Sequence, residues 1–425
     1  MKKLKPFSAE LALIFLCLLL VGVAVEIRLV LPKTPASSVL SSGKGAYSTG
    51  VYRNLFAERG QSSSAIQAKL DAAWNQLFYG DNNSQRVYYP IGADMAYIED
   101  IGNNDVRTEG MSYGMMIAVQ LNHQAEFNRL WKWAMTYMYN ANDNSGFQGY
   151  FAWHCNTDGS KIDYNPATDG EEWFAMSLLF AAGRWGNGTG IYNYQSEALS
   201  LLNNMVHHPT ANLETPMFDP TQKIPVFVPY NTAATYSDPS YHLPAYYQLW
   251  SYWDTANSSF WSGAVTASRA FFKTTVNSTT GLAPDYANFD GSPRNDGNHN
   301  DFRFDAWRVI NNIAVDNAWF GADSWQITET NTLLNFFNTQ SLTTYANQYS
   351  LSGSALSSDH STGLVAMNAV AALAANSGVA GSFVDQLWNT PIPSGQWRYY
   401  DGMLYMLALL HSSGNFKIYA PIPKN

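Results

Sequence analysis

The stretch DVRTEGMSYGMM, residues 105–116, passes from a charged, turn-prone segment straight into an apolar helical pattern. Residues 111–121 have almost no polar face, so the helix they form has to be buried on every side. Glu109 falls in its first turn. The same transition recurs in NPATDGEEWFAMSLLF (165–180), around Asp169, and in NHNDFRFDAWRVINN (298–312), around Asp305. Three acids at three helix entrances, far apart in the chain, predict one shared pocket.

Outward from these stretches the pattern stays helical. Residues 64–78 carry a single apolar stripe through Ile66, Leu70, Ala73, Trp74 and Leu77, and 127–138 carry another through Phe127, Leu130, Ala134 and Met138. Further helical segments are expected at 173–182, 196–206, 243–253, 259–275, 306–317, 327–339, 363–375 and 398–411. Some of these are apolar all round and others on one face, which an inner ring of helices wrapped by an outer ring would satisfy. Short polar connections then form the rims, with VYYPIGADMAYIED (87–100) and KIPVFVPY (223–230) as short hairpins. The fold class is therefore all-α.

Residues 1–30 read as a signal peptide or signal anchor: Lys2, Lys3 and Lys5 precede the uncharged run LALIFLCLLLVGVAV. That run is shorter than the roughly 20 residues a membrane helix needs. No A-x-A site follows it, so a retained N-terminal membrane anchor is the competing expectation. Either way the protein is expected to be exported, periplasmic or extracellular. Residues 31–50, rich in Pro, Ser and Gly, read as a linker, and 51–425 as one catalytic domain starting near Tyr52.

Composition limits the partners. The net charge of −9, with no Lys/Arg block, gives no footprint for nucleic acid and favours a neutral polymer over a polyanion. With only 13% charged residues, the surface must be polar and uncharged, and with 14 Trp and 26 Tyr there are rings to spare for a groove that holds a sugar chain. Cys17 lies in the N-terminal apolar run, leaving Cys155 without a partner. No paired CxxC or HExxH spacing is present, so neither a metal nor an organic cofactor is expected; His207 and His208 read as a loop pair. A monomer is expected.

Each acid also has an ordinary structural explanation. Glu109 could complement a helix dipole, Asp169 could cap its helix, and Asp305 could pair with Arg308 or Arg303. Yet each is embedded in apolar and aromatic neighbours, as Glu109 is among Met111, Tyr113 and Met115. Burial raises a carboxyl pKa, which suits a general acid near neutrality, while a second, ionised carboxylate serves as base. The residues alone point to a hydrolase.

Five stretches resemble glycoside hydrolase family 8: DVRTEGMSYGMMIAVQLN, PATDGEEWFAMSLLFAAGRWG, DPSYHLPAYYQLWSYW, FRFDAWRVINNIAVD and RYYDGMLYMLALLHSSGNF, spread over residues 105–416. Within it they are similar to the branch of xylanases and reducing-end xylose-releasing exo-oligoxylanases. The resemblance implies an (α/α)6 barrel and inverting hydrolysis of xylo-oligosaccharides. It implies Glu109 as general acid, Asp305 as general base and Asp169 as the residue that holds the sugar at the cleavage point. Tyr241 matches a tyrosine near the attacking water, and Trp153 and Tyr400 match stacking or rim residues. His360, in SSDHSTGLVAMNA, stands where the exo-enzymes read the terminal hydroxyl, but Ser361 follows it in place of Pro. An endo-acting xylanase or glucanase is the alternative. A glycan-binding envelope protein is the more distant one, disfavoured by the intact pair Glu109 and Asp305, because a binder has no need of both acids.

Overall fold

Burial divides the helices into two kinds, as their residue patterns require. A computed structural model describes residues 44–141 and 147–421, all within the unit Ser42–Asn425. In chain order the helices are α1 (Ser63–Tyr79), α2 (Thr108–Leu121), α3 (Gln124–Trp133), α4 (Thr168–Trp185), α5 (Tyr194–His207) and α6 (Pro244–Trp253). There follow α7 (Ser258–Thr275), α8 (Trp307–Phe320), α9 (Trp325–Thr339), α10 (Thr362–Ala371), α11 (Ala380–Asn389) and α12 (Arg398–Ser412). The even-numbered helices are buried nearly all round; in α4 every residue from Thr168 to Ala182 is buried. The odd-numbered ones bury a stripe, which in α1 runs through Ile66, Leu70, Ala73, Trp74 and Leu77 as the sequence predicts.

The even helices form a closed inner ring. α2 packs on α4, α6 on α8, α8 on α10, α10 on α12, and α12 on α2. Trp173 of α4 meets Tyr246 of α6, ring centroids 5.2 Å apart. Each outer helix covers an inner one: α3 on α2, α5 on α4, α7 on α6, α9 on α8, α11 on α10 and α1 on α12. This is the (α/α)6 barrel.

The contact between α2 and α4 depends on a missing side chain. A Cβ at Gly170 would lie 2.4 Å from Thr108 Oγ1 and 2.5 Å from Thr108 Cβ. Gly170→Ala is therefore expected to destabilise the protein by about 1–3 kcal/mol through overpacking, readable as a lower urea midpoint with an unchanged slope.

The connections are not uniformly short, as the sequence suggested. Those leaving inner helices are brief: residues 122–123 follow α2, and 254–257 follow α6. Those entering inner helices span 80–107, 134–167, 208–243, 276–306, 340–361 and 390–397. The long ones carry the strands. The predicted hairpin at 87–100 forms as β1 (Tyr88–Ile91) and β2 (Met95–Ile98), paired Tyr88 to Ile98. β3 (Val106–Arg107), β4 (His154–Cys155) and β5 (Lys161–Asp163) make a second small sheet, and β6 (Tyr236–Ser237) pairs with β7 (Ala287–Asn288). KIPVFVPY makes no hairpin; its Pro225 and Tyr230 form only isolated bridges, to Phe218 and Glu214. Its prolines remove the donors that a ladder needs.

Other boundaries differ from expectation. The segment 127–138 leaves α-geometry at Ala134 and ends in a π-turn, Ala134–Met138. α11 went unpredicted, because its stripe of Phe383, Val384 and Leu387 is short and opens just after Gly378 and Gly381, which read as a loop. The signal and most of the linker lie outside the described residues. Within the linker, Ala46–Thr49 is a helical turn with Ala46 buried, so order begins ahead of Tyr52. Cys155 is buried and unpaired. Among the described residues no helix is long and apolar enough to cross a membrane.

Candidate active site

All six inner helices open on one cleft of about 880 Å³. Its lining takes Glu109 from the start of α2, Asp169 from α4, Asp305 from ahead of α8 and Tyr399 from α12, with Tyr241 just before α6 and Ser361 just before α10. Helix N-termini carry partial positive charge, so the ring turns six such ends toward whatever binds there. The seven residues singled out from the sequence, Glu109, Asp305, Asp169, Tyr241, His360, Trp153 and Tyr400, all line this cleft.

One buried guanidinium joins the three acids. Arg308 Nη1 lies 3.2 Å from Glu109 Oε2 and 3.0 Å from Asp169 Oδ2, while its Nη2 lies 2.8 Å from Asp305 Oδ1. Tyr113 OH also accepts from Nη1, and Ser240 Oγ accepts from Nη2 at 2.9 Å. Arg308 does pair with Asp305, as the ordinary explanation held, but the same fork takes the other two acids as well. Arg303 is engaged with Asp301 instead. Capping does not account for Asp169: the N-cap of α4 is Ala167, with no side-chain bond.

The acids differ in setting. Burial pushes the Glu109 carboxyl up to about 7; the Arg308 charge opposes this, and the Asp305 and Asp169 charges add to it. Its Oε1 accepts from Tyr399 OH at 2.9 Å. Tyr399 fits because residue 110 is Gly, where a Cβ would come within 2.5 Å of the ring. Asp169 is also raised by burial, against Arg308, and its Oδ1 accepts from Gly170 N at 2.8 Å. Asp305 is the most open of the three, its side chain 33% exposed. It sits in the 3-10 turn Phe304–Ala306 rather than in the α-helix itself. The residue before it, Phe304, has φ of 30°, a conformation costing a bulky side chain about 1–3 kcal/mol that the packing of the rim must offset.

The remaining predicted residues fall into two groups. Tyr241 is buried beside the acids, its ring 6.0 Å from the Arg308 guanidinium. Tyr400, expected as a stacking or rim residue, has its hydroxyl 3.1 Å from the Phe304 carbonyl and 3.3 Å from Asp305 Oδ1. Trp153 is held by its Nε1 donating to Asp163 at 2.9 Å and by Arg107 over its ring. His360 is exposed; its Nδ1 donates to the Tyr345 carbonyl at 2.8 Å, and its Nε2 accepts from Gln386 Nε2 at 3.4 Å.

Sequence reading missed Arg308 as the hub, because a basic residue three positions after an acid on a helix looks like a local pair. It also missed Tyr399, whose signal was the Tyr-Tyr doublet at a helix start, and Trp397. That indole is 67% exposed on the cleft wall and packs over Gly102.

The family model for glycosyl hydrolases family 8 matches residues 90–414. The chain is 44% identical to the reducing-end xylose-releasing exo-oligoxylanase Rex8A of Paenibacillus barcinonensis, over 89% of this chain and 99% of that one. It is 43% identical to the reducing end xylose-releasing exo-oligoxylanase of Halalkalibacterium halodurans, over 89% and 97%. A solved structure of a GH8 xylobiose complex from Teredinibacter turnerae superposes with a TM-score of 0.86 at 44% identity, covering 89% of this chain and 100% of that one. With its barrel, its clustered acids and these matches taken together, the chain belongs to glycosyl hydrolases family 8, a family of inverting glycoside hydrolases.

Proposed function

We propose that this enzyme hydrolyses β-1,4-xylo-oligosaccharides with inversion and releases xylose from their reducing end. Glu109, held protonated near neutrality, gives its proton to the departing glycosidic oxygen. Asp305 takes a proton from water attacking the opposite face of the sugar, and Asp169 bonds the distorted ring more strongly as the transition state forms. The observation that carries this reading is the placement of Glu109 and Asp305 on different nitrogens of one guanidinium. The acids are gathered, yet a fork stands between them, in keeping with the roughly 6.5–9.5 Å that an inverting pair leaves for a water. The cleft volume falls in the usual range for ligand sites.

Support for exo action comes from the two exo-oligoxylanases matched along nearly their whole length, and from His360, an exposed imidazole on the cleft lining whose Nε2 would exchange its long 3.4 Å contact with Gln386 for a terminal hydroxyl. Endo-cleavage is the second reading, favoured by Ser361 directly after His360. Digestion of xylohexaose labelled at its reducing end separates them. Labelled xylose as the first small product supports exo action, and an early mixture of labelled xylobiose and xylotriose overturns it. Proton NMR from the first seconds should show the α-anomer at the new reducing end; the β-anomer appearing first would exclude inversion. The Lys-flanked apolar run at 11–25 supports export, so that the enzyme meets its substrate in the periplasm or outside the cell.

A further inference from the structure

Behind Asp305, on the side away from the cleft, lie two more acids that no part of the mechanism above uses. Asp238 and Asp285 are 0% and 2% exposed and do not line the cleft. One carboxylate oxygen from each, with one from Asp305, forms a triangle whose members are all within 4.8 Å of one another. Asp238 Oδ1 accepts from Ser240 N at 2.7 Å, while its Oδ2 is buried with no protein partner. Asp285 Oδ1 accepts from Ala306 N at 3.3 Å, and its Oδ2 pairs with His299 Nδ1 at 2.5 Å. His299 reaches solvent, its side chain 32% exposed, and stacks on Tyr286.

Asp305 is thus flanked by opposite charges. Arg308 lies on the cleft side, with Glu109 and Asp169 beyond it and Tyr400 OH on Oδ1. Asp238 and Asp285 lie on the other. A cation at 2.8 Å weakens a carboxylate as a proton acceptor, and a like charge strengthens it. Of the two rear acids, Asp238 is driven far up by burial and has no basic side chain bonded to it, whereas Asp285 is paired with His299, so the rear charge is assigned to Asp285. Asp285 is itself pushed up to about 6 by burial, an effect that the His299 hydrogen bond opposes. His299 is in turn raised by its bond to Asp285, against Arg303.

We propose that Asp285, kept charged by His299, is a positioning residue that strengthens Asp305 as the base that deprotonates water. The inference rests on the reading of Asp305 as that base. In acid, His299 is protonated and holds Asp285 in its ionised form, so the pair is neutral overall but the carboxylate that faces Asp305 keeps its charge where a lone buried acid would have lost it. As the water oxygen bonds to the anomeric carbon its proton passes to Asp305, while the glycosidic C–O bond breaks and the departing oxygen takes the Glu109 proton.

The test is the pH dependence of kcat/KM on xylotriose for the wild type, Asp285→Asn, His299→Gln and Asp305→Asn. Asp285→Asn removes the charge that faces Asp305 from behind. Its acid limb moves down by about one pH unit while the plateau falls several-fold, as expected of a weaker base. His299→Gln lets Asp285 protonate early, so this variant matches the wild type near pH 7 and falls toward the Asp285→Asn rate near about pH 5. A merely structural role lowers the plateau and leaves both limbs in place, which would overturn the proposal. Because His299 is partly exposed, its variant remains informative if Asp285→Asn does not fold. If Asp305→Asn keeps a tenth or more of the activity, the reading of Asp305 fails. If Asp305→Asn is inactive and the other limbs do not move, this inference alone fails.

Discussion

Glu109→Gln is expected to lower kcat on xylo-oligosaccharides by roughly a thousandfold, since positioned general acids contribute about 10²–10⁴. Gln fills the same space and keeps the bond to Tyr399, so the loss measures the proton and not the packing. Two further readouts tie the loss to that proton. A xyloside with a strongly acidic phenol as leaving group needs no protonation, so on it the variant should recover most of the wild-type rate. The sign of the pH effect follows from the burial of Glu109. The acid works while protonated, its carboxyl is pushed up to about 7, and the wild-type rate must fall as pH rises through that value. In Glu109→Gln that alkaline limb should vanish. A limb that persists unchanged would assign it to another group.

The second large effect belongs to Arg308, which sequence reasoning treated as a local partner of Asp305. Arg308→Met leaves three crowded carboxylates without their cation, and breaking a buried ion pair from one side costs about 3–5 kcal/mol. Without the guanidinium, the acids bind protons more readily in the folded than in the unfolded chain. Stability therefore rises as pH falls. Urea unfolding should show the full loss near pH 7.5 and a smaller one near pH 5. Arg308→Lys should be almost as damaging, because one ammonium cannot reproduce a planar fork spanning acids on two sides. Equal stability of Arg308→Met at both pH values would mean that the acids are compensated elsewhere.

The barrel was legible because its signal is redundant. An all-apolar helix such as residues 111–121 and a one-striped helix such as 64–78 cannot exchange places, so the two-ring arrangement follows from pattern alone. The candidate site was half legible. Acids embedded in apolar sequence at helix entrances, Glu109 and Asp169 above all, announce themselves because such burial is costly without a purpose. Arg308 did not, since its partners lie far away in sequence and only folding shows that one guanidinium serves them all. Asp238 and Asp285 were hidden for the same reason. Each sits in a loop that reads as a turn, DPSY or APDY, and their burial beside Asp305 depends on β6 pairing with β7. The contact of Tyr400 with Asp305 was not legible either, because a helix-start tyrosine gives no hint of how far its hydroxyl reaches.

The inequality between the two kinds of connection separates two selective demands on the chain. The scaffold is settled by helices joined through brief links on the far end, while much of the remaining cleft wall, Tyr241 and His360 included, is carried on segments such as 208–243 and 340–361 that can lengthen or shorten independently. A lineage can therefore block one end of the groove, or reopen it, by editing a single segment without renegotiating the helix packing. Relatives that cut chains internally and relatives that trim them from one end can diverge by such edits, with the acids left where they are.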